Sequence, residues 1–383
     1  MWRWIGVTCL VSCLANLLFA ETKFSHANPH ARIYPSAARS PRYLLVFDAR
    51  GTKGYQERCL IASAQGLANS RPKTRDLVYI LWNNDDAFWL REIEHGYVRG
   101  TKKLSSIGDI FDLSGRDCLL YDEKPSHLPN IATSVSGCER LLMVGDPQLA
   151  AYFELRPRMD LRGKFTQNAQ AYRWLQHEYG DRLSREISSI TVPYQTATHN
   201  PANLRDYLVA NKVITYWISG AKEKDMPGAD SEAELAALKD FLPKNSPKPV
   251  LGYPWSGDGF GPGEWDGVTM ISRRGGYLVP TDNFDNLSVW TCFHMSKKKF
   301  VSPITHERFD PSKTYAAFCM SDGDNLCTFQ QWFRDVWRER KDFSFPVGWT
   351  MGPTLNEMAP PIYDYFVRHK PKQIGRASCR DRV

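Results

Sequence analysis

Several familiar signatures are missing from this sequence. No two cysteines form a CxxC pair, so a zinc ribbon has no ligand spacing to build on. There is no GxSxG elbow, Walker loop, dinucleotide fingerprint or HExxH stretch, which removes several common enzyme classes. The nine histidines are scattered without metal spacing and read as structural or surface groups. Charge of one sign is also scarce. A formal net charge of +7 over 383 residues, with no basic stripe interleaved with aromatics, makes no case for nucleic acid. Lys297-Lys298-Lys299 reads as a solvated linker, and no fixed-period repeat is present.

Long apolar runs are confined to the N-terminus. Residues 1–20 carry Arg3, an apolar stretch from Ile5 and a small residue at Ala20, the layout of a secretory signal peptide. Leu10-Val11-Ser12-Cys13 also fits a lipoprotein box, but the apolar run continues to Phe19. An uncleaved anchor would be short for a bilayer. An exported protein is therefore expected, periplasmic, cell-surface or secreted, with no stable membrane span after cleavage. Residues 374–383 break the preceding pattern. They resemble the conceptual translation of adapter sequence and are set aside as an artefactual tail, with the native chain expected to continue past Lys372. Setting aside Arg3, Arg376, Arg380, Arg382 and Asp381 lowers the net charge further. Of the cysteines, Cys59, Cys118, Cys138, Cys292, Cys319 and Cys327 remain. An exported chain permits disulfides among them, and free buried thiols are an equal reading.

The chain has room for two to four domains. Residues 21–41 read as a flexible lead-in. Short apolar runs then alternate with helical spacing. Strands are expected at 43–48, 77–82, 117–122, 140–145, 213–218, 249–252, 277–280, 287–290, 314–320 and 345–350. Helices are expected at 60–67, 87–93, 128–137, 168–179, 203–209, 231–241, 326–337 and 361–369. Loops rich in glycine dominate 253–276. The alternation predicts an α/β fold of several small modules on parallel sheets. Boundaries are read at 42–100, 101–150 and 151–298 for three N-terminal modules, and at 299–373 for the truncated start of a further domain.

The stretch most open to a chemical reading is Ser321-Asp322-Gly323-Asp324-Asn325, at the end of an apolar run and directly before a helical pattern. In α/β folds catalytic groups gather at the carboxyl ends of parallel strands. Asp322 and Asp324, about 7 Å apart along an extended strand, would face the same way. Like charges that close share a proton, bind a cation or divide into acid and base. An Asx-turn capping the next helix accounts for the same residues. Asn325 adjoins the pair. Trp349, at the next strand end, is either a sugar-stacking floor or core. Glu357 is an acid–base candidate or simply solvated. The loop 253–265 mixes Trp255, Glu264 and Trp265 with many glycines, which suits a carbohydrate-facing surface or a rigid inter-domain lid. Asn286-Leu287-Ser288 is a glycosylation sequon.

Taken in order, several segments resemble the GxGYxYP putative glycoside hydrolase family. Ser321-Asp322-Gly323-Asp324-Asn325-Leu326, Pro346-Val347-Gly348-Trp349-Thr350, Pro353-Thr354-Leu355 and Ala359-Pro360 look like the start of its C-terminal domain. Gln65-Gly66-Leu67-Ala68-Asn69 resembles its first N-terminal module. Arg205-Asp206-Tyr207-Leu208-Val209-Ala210-Asn211-Lys212 and Val279-Pro280-Thr281-Asp282 with Asn286-Leu287-Ser288-Val289 resemble a later one. The heptapeptide signature itself is absent. Arg274-Gly275-Gly276-Tyr277-Leu278-Val279-Pro280 imitates it, with Arg274 for the first glycine and Val279 for the second tyrosine. It also precedes the aspartate segment, whereas the signature follows it in the family, so the signature is expected beyond the residues present.

The resemblance implies a carbohydrate substrate and a β/α-barrel-like C-terminal domain. Three readings follow. A glycoside hydrolase would use Asp322 and Asp324 as catalytic carboxyl groups, with Asn325, Trp349, Trp255 and Glu264 on the substrate and no cofactor. A metal-dependent carbohydrate deacetylase would hold a divalent cation on the two aspartates, although the expected histidine ligands are not visible. A non-catalytic glycan-binding protein would use the loop around Trp255 and Trp265. The sequence sets no oligomeric state.

Overall fold

The computed structural model describes residues 32–52, 54–196, 202–239, 248–256, 259–294, 310–316, 318–320, 325–339 and 347–369, with the backbone alone for Asn325. Apolar runs become buried parallel strands, and amphipathic segments become helices that cover them.

The first sheet holds β1 (Tyr43–Asp48), β2 (Asp76–Leu81) and β3 (Gly100–Lys103), with helices α1 (Tyr55–Asn69), α2 (Asn84–Glu94) and α3 (Ile107–Ser114). The second holds β4 (Asp117–Leu120), β5 (Leu142–Val144) and β6 (Arg156–Asp160), with α4 (Leu128–Glu139), α5 (Pro147–Tyr152) and α6 (Asn168–Tyr179). The third holds β7 (Ser188–Ile190), β8 (Ile214–Tyr216), β9 (Lys248–Gly252) and β10 (Gly276–Pro280), with α7 (Arg205–Ala210), α8 (Ser231–Leu238), α9 (Glu264–Arg273) and α10 (Leu287–Trp290). A parallel pair, β11 (Cys319–Met320) and β12 (Gly348–Trp349), comes with α11 (Asn325–Gln330), α12 (Phe333–Glu339), α13 (Pro353–Met358) and α14 (Pro360–Arg368).

One strand order recurs. The first three sheets read β2-β1-β3, β5-β4-β6 and, from the other edge, β8-β7-β9-β10. Each therefore places its second strand on one side of the first and its third strand on the other, all parallel. The mixed α/β class with small parallel sheets is the one the sequence pattern predicts. Among the described residues no sheet closes into a barrel.

Some elements depart from the sequence pattern for identifiable reasons. β3 is Gly-Thr-Lys-Lys and β6 is Arg-Pro-Arg-Met-Asp, both without an apolar run. They are edge strands, where charge and proline guard an open row of backbone groups. Because β6 pairs with β4, the second sheet runs through residue 150, where the sequence suggests a boundary. α9 forms inside the glycine-rich stretch. Glu264 and Asp266 occupy its first turn, where acids suit a helix N-terminus, and Gly267 and Ile271 face inward. Leu287–Trp290 is helical, not extended. Asn286 enters it in the left-handed region at φ 60° with its side chain bonded back to β2.

Helix α7 is the hub. Arg205, Asp206, Tyr207, Leu208 and Val209 are all buried. It lies across Gly66 of α1 and Gly137 of α4 so closely that a Cβ at either glycine would overlap a backbone carbonyl oxygen, that of Asp206 or of Val209. Elsewhere an aromatic cluster joins the last helices to the first sheet. Trp89 stands edge-on to Trp290 at 6.3 Å and to Tyr365 at 5.2 Å, and its Nε1–H donates to the Gln330 carbonyl at 2.6 Å. Such pairs add about 1 kcal/mol each beyond burial. Among the described residues the six cysteines form no disulfide; Cys319 is exposed and the other five are buried.

Candidate functional site

A pocket of about 940 Å3 lies outside the carboxyl ends of β8 and β9, where open parallel sheets place their ligands. Residues 218–221 and Lys224 after β8, residues 229–232 and Leu235 at the start of α8, and Trp255, Gly259, Gly261, Pro262 and Gly263 after β9 form its walls; Asp266 and Met270 of α9 complete it. The wall is held rigid by Glu223, which is fully buried. Its Oε2 accepts the Gly220 N–H at 2.6 Å and the Gly261 N–H at 2.7 Å, while Oε1 accepts Trp217 Nε1–H at 2.7 Å and the Tyr194 hydroxyl. Gly261 has φ 84°, and a Cβ there would strike the Trp217 ring and the Pro254 carbonyl. Only glycine lets the two strand-end loops touch.

Behind the pocket lies a second buried network. His127 Nδ1 is 3.0 Å from the Tyr172 hydroxyl, and its Nε2 is 3.2 Å from Ser219 Oγ. Burial lowers the imidazole to about 3, so the ring is neutral. Ser219 Oγ–H and N–H donate to the two oxygens of Glu234 at 2.8 and 2.7 Å, and Asn168 Nδ2–H donates to Oε1 at 2.8 Å. A serine beside a histidine suggests a nucleophile, but the wiring is structural. The N–H groups of Ser219 and Gly220, the natural oxyanion donors, are both spent on buried carboxyl groups. The network fastens α8 and the end of β8 to α4 and α6.

A third polar cluster sits between the first and third sheets. Asn286 Oδ1 accepts Gln65 Nε2–H at 2.7 Å and the Ile80 N–H at 2.8 Å. Its Nδ2–H group donates to the Ile80 carbonyl at 2.9 Å and to Asp86 Oδ1 at 3.1 Å. Asn69 Nδ2–H donates to Ser288 Oγ at 2.8 Å, and the Ser288 N–H to Asp206 Oδ2 at 2.9 Å. Burial raises all three carboxyl groups there: Asp206 to about 6, Asp285 to about 7 with the Asp206 charge adding, and Asp86 well upward with Asp285 adding. Asp285 Oδ1 has no hydrogen-bond partner. Asn286 is 1% exposed, so the sequon at 286–288 offers no attachment point for a glycan.

The residues singled out in the sequence fall as follows. Asp322 and Asp324 lie outside the described residues; Asn325 begins α11. Trp349 is 6% exposed, edge-on to Phe333 at 5.3 Å and Trp337 at 5.0 Å, in the core. Glu357 accepts the Tyr34 N–H at 2.9 Å. Trp255 is half-buried and lines the large pocket; Glu264 is exposed at the start of α9, next to the lining residue Gly263; Trp265 is 86% exposed. Sequence reasoning missed Glu223, Glu234, His127 and Ser219. Their partners are far apart in the chain, and a lone acid or histidine carries no spacing signal. Among the described residues no group of three or more His, Cys, Asp or Glu is gathered to hold a metal ion, and no helix is long and apolar enough to cross a membrane.

Repeated small parallel α/β sheets joined by buried polar clusters, with a ligand-sized pocket at strand carboxyl ends, define a multi-domain α/β protein. Four domain descriptions of one family match it in chain order. The GxGYxYP_N first domain covers residues 43–112, the GxGYxYP_N second domain 117–183, the GxGYxYP third domain 189–292, and the GxGYxYP putative glycoside hydrolase C-terminal domain 312–373. The chain belongs to the GxGYxYP family. It is similar in fold to a solved structure described as a putative hydrolase from Bacteroides thetaiotaomicron, with a TM-score of 0.72 and 21% identity over 92% of this chain. It spans 66% of that protein, just under two thirds. No curated protein matches the chain.

Proposed function

We propose that the protein is a glycoside hydrolase of poly- or oligosaccharides that uses carboxyl acid–base chemistry, with Asp322 and Asp324 supplying it and Asn325 beside them on the sugar. The observation that carries this reading is the match of residues 312–373 to the family's putative glycoside hydrolase C-terminal domain. The chain order supports the assignment: β11 ends at Met320, two positions before Asp322, and pairs in parallel with β12. Groups just beyond the carboxyl end of a parallel strand are where α/β enzymes carry chemistry. One carboxyl group protonates the departing glycosidic oxygen while a second acts as base or nucleophile. The layout of residues 1–20 supports a substrate met outside the cytoplasm, in the periplasm, at the cell surface or in the medium.

The test is incubation of the protein with a panel of polysaccharides. New reducing ends that vanish in Asp324→Asn support the reading. Acetate release that a chelator abolishes, with no new reducing ends, overturns it in favour of a metal-dependent deacetylase.

A further inference from the structure

We propose that the pocket at the carboxyl ends of β8 and β9 is a saccharide-binding site for an uncharged oligosaccharide. The class of ligand rests on the carbohydrate reading above; the site does not depend on the chemistry assigned to Asp322 and Asp324.

The pocket is preformed. Glu223 ties the end of β8 to the loop after β9 through the Gly220 and Gly261 N–H groups, and the Phe260 ring is edge-on to Tyr194 at 5.7 Å. Binding therefore carries little ordering cost. At about 940 Å3 it is at the upper end of small-molecule sites, roughly 300–1,000 Å3.

The lining is amphipathic in the manner of a sugar. Trp255, Pro262, Leu235 and Met270 give apolar surface, the counterpart of the C–H face of a pyranose. Asp230, Glu232, Asp266 and the hydroxyl-bearing Ser231 give polar groups, the counterpart of its hydroxyls. Trp255 supplies the aromatic plane.

The charge selects the kind of sugar. The lining holds the acids Asp230, Glu232 and Asp266 against Lys224, and at the rim Glu264 adds an acid and Lys222, beside Gly259, a second cation, so acids outnumber cations two to one. A cleft of one sign concentrates its field and repels ligands of the same sign. Uronic acids and sulfated sugars are disfavoured, and uncharged hexoses or pentoses fit.

The test is titration of the full-length protein, by calorimetry and tryptophan fluorescence, with cellohexaose, xylohexaose, mannohexaose and hexagalacturonate. At least one neutral oligosaccharide binds. Trp255→Ala weakens it about tenfold or more, Trp255→Phe retains most of the affinity, and hexagalacturonate binds far more weakly. Equal binding by Trp255→Ala, preference for hexagalacturonate, or no binding of any neutral member at millimolar concentration overturns the proposal. Trp255-dependent binding by a protein that cleaves no glycan would sink the hydrolase reading and leave this one standing. Glycan cleavage without Trp255-dependent binding would do the reverse.

Discussion

Asn286 donates from Nδ2 to Asp86 Oδ1 at 3.1 Å, although 200 residues separate them. The same amide accepts from Gln65 and closes on both backbone groups of Ile80, so one side chain rivets the third sheet's last helix to the first sheet. Asn286→Ala strands buried partners on both sides. The expected loss is about 3 kcal/mol, since each orphaned buried polar group costs about 1–3 kcal/mol. Urea unfolding checks it, and a midpoint equal to wild type would contradict the role given to Asn286.

Gly66 is a packing residue. Its missing Cβ leaves space for the Asp206 carbonyl of α7. Gly66→Ala forces α1 and α7 apart, with a loss of about 1–3 kcal/mol from overpacking, despite alanine's better helix propensity. Thermal melting reads the result; a variant more stable than wild type would show that the helices can part at no cost.

The segments that carry the family resemblance turn out to be joints. Gln65, Asn69, Asp206, Asn286 and Ser288 come from three such stretches and meet in one buried cluster. Their chemistry was legible as motif, but not their meeting, because pairing across two hundred residues leaves no local trace. The apolar strands β1 and β2 and the helix α6 were legible because buried parallel strands need continuous apolar runs and helices need their spacing. The edge strands β3 and β6 and the helix α9 were not. The edges are polar by necessity, and glycine at 263 and 267 obscures a helix whose inward face needs small residues. In the candidate site, Trp255 was legible as an aromatic in a glycine-rich loop. The pinning carboxyl group of Glu223 was not.

The buried carboxyl groups Asp86, Asp206 and Asp285 make stability depend on pH. Burial raises each above the ordinary aspartate value of 3.8, to about 7 for Asp285 and about 6 for Asp206. Arg58 opposes the rise at Asp285, and Asp85, which pairs with Arg334, adds to it. The native state therefore keeps protons that the unfolded chain releases. Their contribution is most favourable below the unfolded value and is lost as pH rises through about 7. The denaturant midpoint should fall from pH 5 to pH 8. Asp285→Asn should flatten that fall by about 2 kcal/mol, because each tenfold difference in proton affinity between the folded and unfolded chain is worth about 1.4 kcal/mol. An unchanged slope in the variant would mean that Asp285 is ionised at pH 5.

Glu223→Ala leaves the Gly220 and Gly261 N–H groups and the Trp217 indole without their acceptor. The loop that ends at Gly263 should become a site of protease cleavage in the variant while the first sheet's protection is unchanged. Limited proteolysis with mass spectrometry reads this. Cleavage patterns identical to wild type would contradict the pinning role.

The hydrolase account stands most directly on the rate of glycosidic cleavage by the intact native protein, compared with Asp322→Asn and Asp324→Asn at matched melting temperature. Loss of a catalytic carboxyl group should lower turnover by about a hundredfold or more, with the fold unchanged. Folded variants of both positions that cleave glycans at the wild-type rate would contradict it.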